Sequence, residues 1–407
     1  MPNGVQWRLS LMMFLEYLIW GSWLPLLALY LSDFLHFTGT DIGWIFATQA
    51  IASVTAVFIS GQLADRYLST ERFLAVSHLI GGLAMFALAF QKTFWPFFAT
   101  MLVYTLVYVP TLSLTNSICF HHLKDAQKEF GRVRLWGTIG WIAASWPFVF
   151  ILEGKEGPAL ESALSAIFTV AGSASIALAV FSLFLPRTPP AKNVSEKNAP
   201  LEAIKLLAIP SVLALFVVTF IDALVHQCYF QWTSPFLAAI GLPKNWIMPA
   251  MSIGQIAEIA TMAGLGFFLK RLGWRTTMII GILGHVLRFF VYSIGQPVWL
   301  VVGSNVVHGF CYAFFFASVY IFVDEYFPKD ARASAQGLFN FLILGFGPFV
   351  GSLLWGRLGD AYTTAGVVDF SRLFLVPSGL GLVAAVVLFL AFHPEKRPAP
   401  AVEARAA

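Results

Sequence analysis

The chain has 407 residues, of which 58% are hydrophobic and only 11% charged, where soluble domains carry about 25% charged residues. These values exclude an ordinary water-soluble enzyme, a disordered chain and a disulfide-rich secreted module. A formal net charge of +4 is too small and too dispersed for nucleic-acid binding, and Cys119, Cys228 and Cys311 lie in apolar runs as packing residues.

A helix that spans a bilayer needs about 20 mostly apolar residues. Twelve such segments follow one another, at roughly 9–32, 42–64, 73–91, 95–119, 133–152, 163–185, 209–239, 247–269, 276–295, 298–323, 334–355 and 371–392. The first is too long for a cleaved leader and contains Glu16, with no small-residue cleavage site after it. The second is followed by Gly61-Gln-Leu-Ala-Asp65-Arg66. Span five opens with Arg132 and Arg134, with Thr138 one turn on and Trp141 on the next step of that face. Polar residues from Pro186 to Lys205 then interrupt the apolar pattern. In span seven Asp222, His226, Gln227 and Gln231 form a polar stripe, which faces a cavity or another helix and not lipid. In span eight Gln255 and Glu258, three residues apart, share one helical face. Span nine carries His285 and Arg288, and span ten carries His308 before the aromatic run Tyr312-Ala313-Phe314-Phe315-Phe316.

The basic residues orient these spans through the positive-inside bias. With both termini cytoplasmic, nineteen Lys and Arg lie inside and five outside, with Arg288 left within span nine. Two echoes point to duplication. Gly266-Phe-Phe-Leu-Lys270-Arg271-Leu-Gly273-Trp-Arg275 after span eight repeats the loop after span two, and Arg332 with Gly337 repeats Arg132 with Gly137. The expected fold is therefore an all-α membrane protein of twelve transmembrane helices in two six-helix halves. Its parts are a bundle at 1–185, a cytoplasmic linker at 186–207, a second bundle at 208–394 and a tail at 395–407.

The Gly-x-x-x-Asp-Arg loop, with its degraded second copy, resembles the loop signature of the major facilitator superfamily. Finer blocks resemble its nucleoside:H+ symporter family: Trp20-Gly-Ser-Trp23-Leu, Pro110-Thr-Leu-x-Leu-x-Asn116, Arg134-x-Trp136-Gly137-Thr138-Ile-Gly140, Gln255-x-x-Glu258, Leu287-Arg288-Phe289 and Arg332-Ala-Ser-Ala-Gln336-Gly337. The resemblance implies proton-coupled nucleoside uptake by alternating access. The oligosaccharide:H+ symporters, a neighbouring branch that shares the Arg132-Val-Arg134 and Trp141 region, supply the alternative reading, and an uncoupled nucleoside facilitator is a third. A ligand-binding receptor on the same scaffold and a membrane-embedded enzyme are the rival classes. No signalling domain or reactive constellation supports either.

Substrate-binding candidates are Arg134, Thr138, Trp141, Gln227, Gln255 and Glu258. Arg supplies fixed donors, Trp a stacking surface, and the carboxylate–amide pair both acceptors and donors for ribose hydroxyls. The resemblance places Gln227, Gln255 and Glu258 at the substrate, while Phe230 stands where the family carries Asn. Plainer readings are an interhelical clasp of Glu258 with Arg288, a snorkelling Arg134, and a satisfied Asp222–His226 pair. Trp20, Trp23, Tyr108, Trp141 and Phe315 are candidates to sandwich a base. Ala313 replaces the aspartate that the family pattern implicates in proton coupling, so Glu16, Asp222, Glu258 and His308 become the candidate carriers. Glu16 leads because its own span holds no basic neighbour. Gly61, Asp65 and Arg66 are the gating candidates. His121-His122 reads as a solvated pair. With no phosphate-binding loop, nucleophile elbow or zinc spacing, no cofactor or metal is expected. The expected partners are a nucleoside, a proton and the lipid bilayer, with a monomer in the cell inner membrane.

Overall fold

The computed structural model describes residues 3–59, 69–189, 205–327 and 329–394. Among the described residues its helices group into twelve, labelled here in chain order. The first four are α1 (Asn3–Leu29, extended by a π-turn Tyr30–Phe34), α2 (Gly39–Ile59), α3 (Thr70–Leu88) and α4 (Phe94–His122). Next come α5 (Ala126–Ala143, resumed at Trp146–Ile151), α6 (Gly157–Leu164 and Ala166–Ser182) and α7 (Pro210–Ala239). One run, Ile247–Ile294, holds both α8 (247–272) and α9 (274–294), because Gly273 breaks it with φ 75° and ψ 171°. Only glycine adopts that conformation without a Cβ penalty. Last are α10 (Val298–Ser304, Val307–Cys311, a π-turn Tyr312–Ala317 and Ser318–Tyr326), α11 (Lys329–Asn340, a π-turn Phe341–Phe346 and Gly347–Ala361) and α12 (Phe370–Ala391). A two-residue hairpin, β1 (Thr363–Thr364) with β2 (Val367–Val368), precedes α12.

Among the described residues, nine runs have the length and hydropathy to cross a membrane, the α8–α9 run counting once. The two remaining helices, α2 and the charge-bearing α5, pack among them. The expected linker and tail fall largely on residues outside those described, as 190–204 and 395–407 do. Gly61, Asp65 and Arg66 lie outside them too.

Helices in lipid gain little from burying apolar surface against each other, so close packing at small residues has to hold them. That is how this bundle is built. Gly140 of α5 presses on the backbone of Phe14 in α1, and Gly82 of α3 meets Gly172 of α6. Gly309 of α10 lies against Ala257 and Glu258 of α8, and Gly359 of α11 against the Trp232 ring of α7. The pairing pattern repeats six helices on. α1 packs with α5 as α7 does with α11, α2 with α4 as α8 with α10, and α3 with α6 as α9 with α12. This recurrence agrees with the duplication read in the loop echoes.

An added Cβ at Gly140 would collide with the Phe14 carbonyl oxygen, whereas one at Gly266 would meet nothing within 4 Å. Gly140→Ala is therefore expected to cost about 1–3 kcal/mol through overpacking. Thermal unfolding of the detergent-solubilised protein should show a lowered Tm for that variant and no loss for Gly266→Ala.

Candidate functional site

Two charged side chains approach from different halves. Arg134 on α5 lies within electrostatic range of Glu258 on α8. The Arg134 guanidinium is folded over the Tyr17 ring of α1, 4.1 Å from its centroid, so it does not snorkel to the interface. Gly137 makes that fold possible, because a Cβ there would stand 2.7 Å from both Arg134 Nη1 and the Tyr17 ring. Tyr312, the first residue of the α10 π-turn, is within electrostatic range of Glu258, Arg134 and Tyr17. A π-turn widens a helix by one residue per turn and often marks a functional position. On the other side of Tyr17, Trp20 and Trp141 meet edge to face at 5.2 Å.

What distinguishes this group is its bonding. The side chains of Arg134, Thr138, Gln227, Gln255 and Glu258 make no hydrogen bond among the described residues. Gln255 Oε1 and Trp20 Nε1 are buried without a partner. Unpartnered buried polar atoms are costly in protein interiors, so a set of them is poised for a polar ligand. Gln227 is half-buried on α7, with its Cβ close to Gly351 of α11. No bond ties it to the Arg134–Glu258 group.

Several readings of the sequence are corrected here. Arg288 is not the partner of Glu258. It is fully buried and donates from Nη1 to His308 Nδ1 at 2.6 Å and from Nη2 to His285 Nδ1 at 3.1 Å. Asp222 pairs not with His226 but with His285 Nε2, at 3.5 Å. Trp23 is spent on a hydrogen bond to Tyr104 Oη, Tyr108 donates to the Glu16 carbonyl, and Phe315 is fully buried. These three are packed or bonded within the protein, whereas Trp20 and Trp141 of the expected aromatic set are only half-buried. Glu16 has no basic neighbour in its own helix, yet His78 Nε2 on α3 reaches its Oε2 at 2.9 Å. His122 Nε2 is bound to Thr188 Oγ1 at 2.9 Å.

Sequence reasoning missed Tyr17 and Tyr312, whose approach to Arg134 is long-range. It also missed a latch between the halves. Asp360, at the end of α11, accepts from the Gly39 and Thr40 amides at 2.6 and 2.8 Å and from the Thr40 hydroxyl at 2.5 Å. Its carboxylate thereby caps the amino end of α2, where free amides and the helix dipole favour negative charge. At the same end Lys244 pairs with Asp33 at 2.8 Å, and Asn245 donates to the Val149 carbonyl at 3.4 Å. Gly43, Ser352 and Gly356 let α2 and α11 touch behind the cap.

Asp360→Ala should loosen this end. A cysteine at the fully buried Ser352 would then react with a membrane-impermeant maleimide roughly tenfold faster, the change expected for about 1.4 kcal/mol. The native cysteines are buried, so background labelling is low. An unchanged rate would show that Asp360 holds nothing closed.

Comparison with known proteins agrees with the geometry. A family model described as Nucleoside H+ symporter matches residues 3–397. The xanthosine permease of Escherichia coli (strain K12) is 32% identical, covering 97% of this chain and 98% of that protein. The nucleoside permease NupG of the same strain is 31% identical, covering 95% of each. The crystal structure of the nucleoside transporter NupG superposes with a TM-score of 0.85 at 29% identity, over 95% of this chain and 98% of that one.

Proposed function

The chain belongs to the nucleoside H+ symporter family, a family of membrane transporters and not of enzymes, and on that premise we propose that it carries nucleosides inward with protons by alternating access. The observation that supports this reading is the unbonded polar group held between the halves. Arg134 offers donors in a fixed fork, Glu258 offers acceptors, and Gln255 offers both. Together these suit the hydroxyls of a ribose and the carbonyl edge of a base. Trp141, Trp20 and Tyr312 supply flat apolar faces on which a base can stack.

The charges also say what is refused. One Arg and one Glu sum to zero, which matches a neutral polar solute. A nucleotide would bring its phosphate towards the Glu258 carboxylate and be repelled. The sugar-carrying branch shares the Arg134 region, but its family is not the one whose model spans this chain.

Coupling supplies the driving force. One proton moving down 100 mV releases about 2.3 kcal/mol, enough for roughly a 50-fold gradient. The positive-inside count supports both termini facing the cytoplasm, and the inner membrane and a monomeric working unit belong to the same proposal. Gly61, Asp65 and Arg66 are proposed for the gate.

Glu258→Gln and Gln255→Ala should each weaken uridine binding about tenfold or more, through loss of one or two hydrogen bonds in the site, with thermal stability unchanged in Gln255→Ala and lowered in Glu258→Gln, which leaves Arg134 without its counter-charge. Equilibrium binding of labelled uridine to the purified variants measures this, with uridine monophosphate as a competitor expected to fail. Near-parent affinity in both variants would move the pair to a structural role.

A further inference from the structure

Away from the substrate group, α7, α9 and α10 enclose a second set of ionisable side chains in the heart of one half. Asp222, His285 and Arg288 are 0% exposed and His308 is 2% exposed. Ionisable groups so placed in a membrane span are functional by default, because hydrocarbon penalises them.

The hydrogen bonds fix which of them can take a proton. Arg288 only donates. Its bonds to Nδ1 of His285 and of His308 therefore require both Nδ1 atoms to accept, which puts each ring's proton on Nε2. Asp222 Oδ2 lies 3.5 Å from His285 Nε2, within ion-pair distance but without a hydrogen bond. Neither imidazole can gain a second proton without breaking its bond to a permanent cation. Asp222 is different, for both its carboxylate oxygens are buried without a hydrogen-bond partner. With Asp222 ionised, the cluster is neutral against Arg288. With Asp222 protonated, it carries one uncompensated positive charge.

We propose that Asp222 takes up and releases the coupled proton, and that His285, Arg288 and His308 convey its charge state to the substrate helix α8. This rests on the proton-coupled reading above. The contact that carries the signal is tight. A Cβ added to Gly254 would lie 2.9 Å from His308 Cβ, and one added to Gly309 would lie 2.5 Å from the Ala257 carbonyl carbon and the Glu258 nitrogen. The Thr261 hydroxyl lies 3.0 Å from both the Gly309 carbonyl of α10 and the Ala257 carbonyl of its own helix, so α10 shares its hydrogen. His308 and Gly309 thus bear directly on the turn that presents Gln255 and Glu258. Any shift of Arg288 as Asp222 gains or loses its charge moves that turn.

Among the described residues, the surroundings of Asp222 hold no second carboxylate, and the Tyr229 ring of α7 lies against Arg288. His226 and Cys228 come from α7 itself, His285 and Arg288 from α9, and His308 and Cys311 from α10. The middles of α11 and α12 contain no titratable residue. The carboxylates nearest in the chain's other helices are engaged elsewhere, Glu258 towards Arg134 and Glu16 with His78. The Glu16–His78 pair is hydrogen-bonded on every side. Ser175 spends its hydroxyl hydrogen on the His78 carbonyl, so His78 Nδ1–H must donate to Ser175 Oγ. His78 Nε2 and Glu16 Oε2 then share a hydrogen, and Thr111 Oγ1 bridges Glu16 Oε1, at 2.6 Å, and the Tyr108 carbonyl. A pair so enclosed ties α1 to α3 and α4 as a structural clasp.

The test uses the full chain in proteoliposomes with labelled uridine. Parent protein that exchanges uridine but does not concentrate it under an imposed pH gradient would overturn the coupled reading itself, and this proposal with it. Given an accumulating parent, Asp222→Asn should keep exchange within about twofold and lose accumulation entirely. Asp222→Glu should accumulate, with its pH of half-maximal uptake shifted, and Glu16→Gln should accumulate as the parent does. Accumulation by Asp222→Asn with the parent's pH dependence overturns the proposal. So does an unshifted pH profile in Asp222→Glu, which decides the matter if Asp222→Asn fails to fold. Loss of accumulation with exchange intact in Glu16→Gln would pass the role to the Glu16–His78 pair.

Discussion

Arg134 and Glu258 belong to different halves of the molecule and share one space of low dielectric. Neither has another ionic partner among the described residues. A lone charge in such a place is expensive, whereas an opposed pair is tolerable and attracts across the gap. This constraint ties the local folding of α5 to that of α8. Gly137 clears room for Arg134 to lie on Tyr17, and Gly309 lets α10 come up behind Glu258. A neutral ligand with donors and acceptors of its own can enter the pair without adding net charge. Two halves that each hold one side of a ligand are also the halves that must rock about it.

Beside these free side chains, other polar groups of the bundle are bonded to one another. Trp23, Tyr104, Tyr108 and Thr111 are bonded to each other or to Glu16, and Tyr292 is held by Asn305. The Asp360 cap and the Lys244–Asp33 pair join the halves at one end. The second buried cluster, around Arg288, meets the first through the α8–α10 contact. Substrate site and cluster are therefore in contact through α8 and α10.

Much of this is legible in the sequence. Apolar runs give the twelve crossings, and the spacing of Gln255 to Glu258 and of Arg134 to Thr138 gives their shared faces. The loop echoes show the duplication that the repeated helix pairings then match. What periodicity cannot give is which helix faces which. The clasp of Glu16 is His78, 62 residues away, and the cap of α2 is Asp360, more than 300 residues away. Glu258 and Arg288 look like a pair along the chain, yet Arg288 turns to two histidines. One signal was within reach: His285 and Arg288 at i, i+3 in an apolar helix share a face, so an Asp on a neighbouring span had reason to join them. Tyr312 sits at the site because a π-turn changes the phase of α10, and sequence does not announce such a turn.

The most direct measurement is the structure of this protein with uridine bound, determined by cryo-electron microscopy in lipid nanodiscs. The account predicts ribose hydroxyls within hydrogen-bond distance of Gln255 and Glu258, the base edge facing Arg134, and its plane against Trp141 or Tyr312. Uridine bound away from both Arg134 and Glu258, or within one half alone, would contradict it.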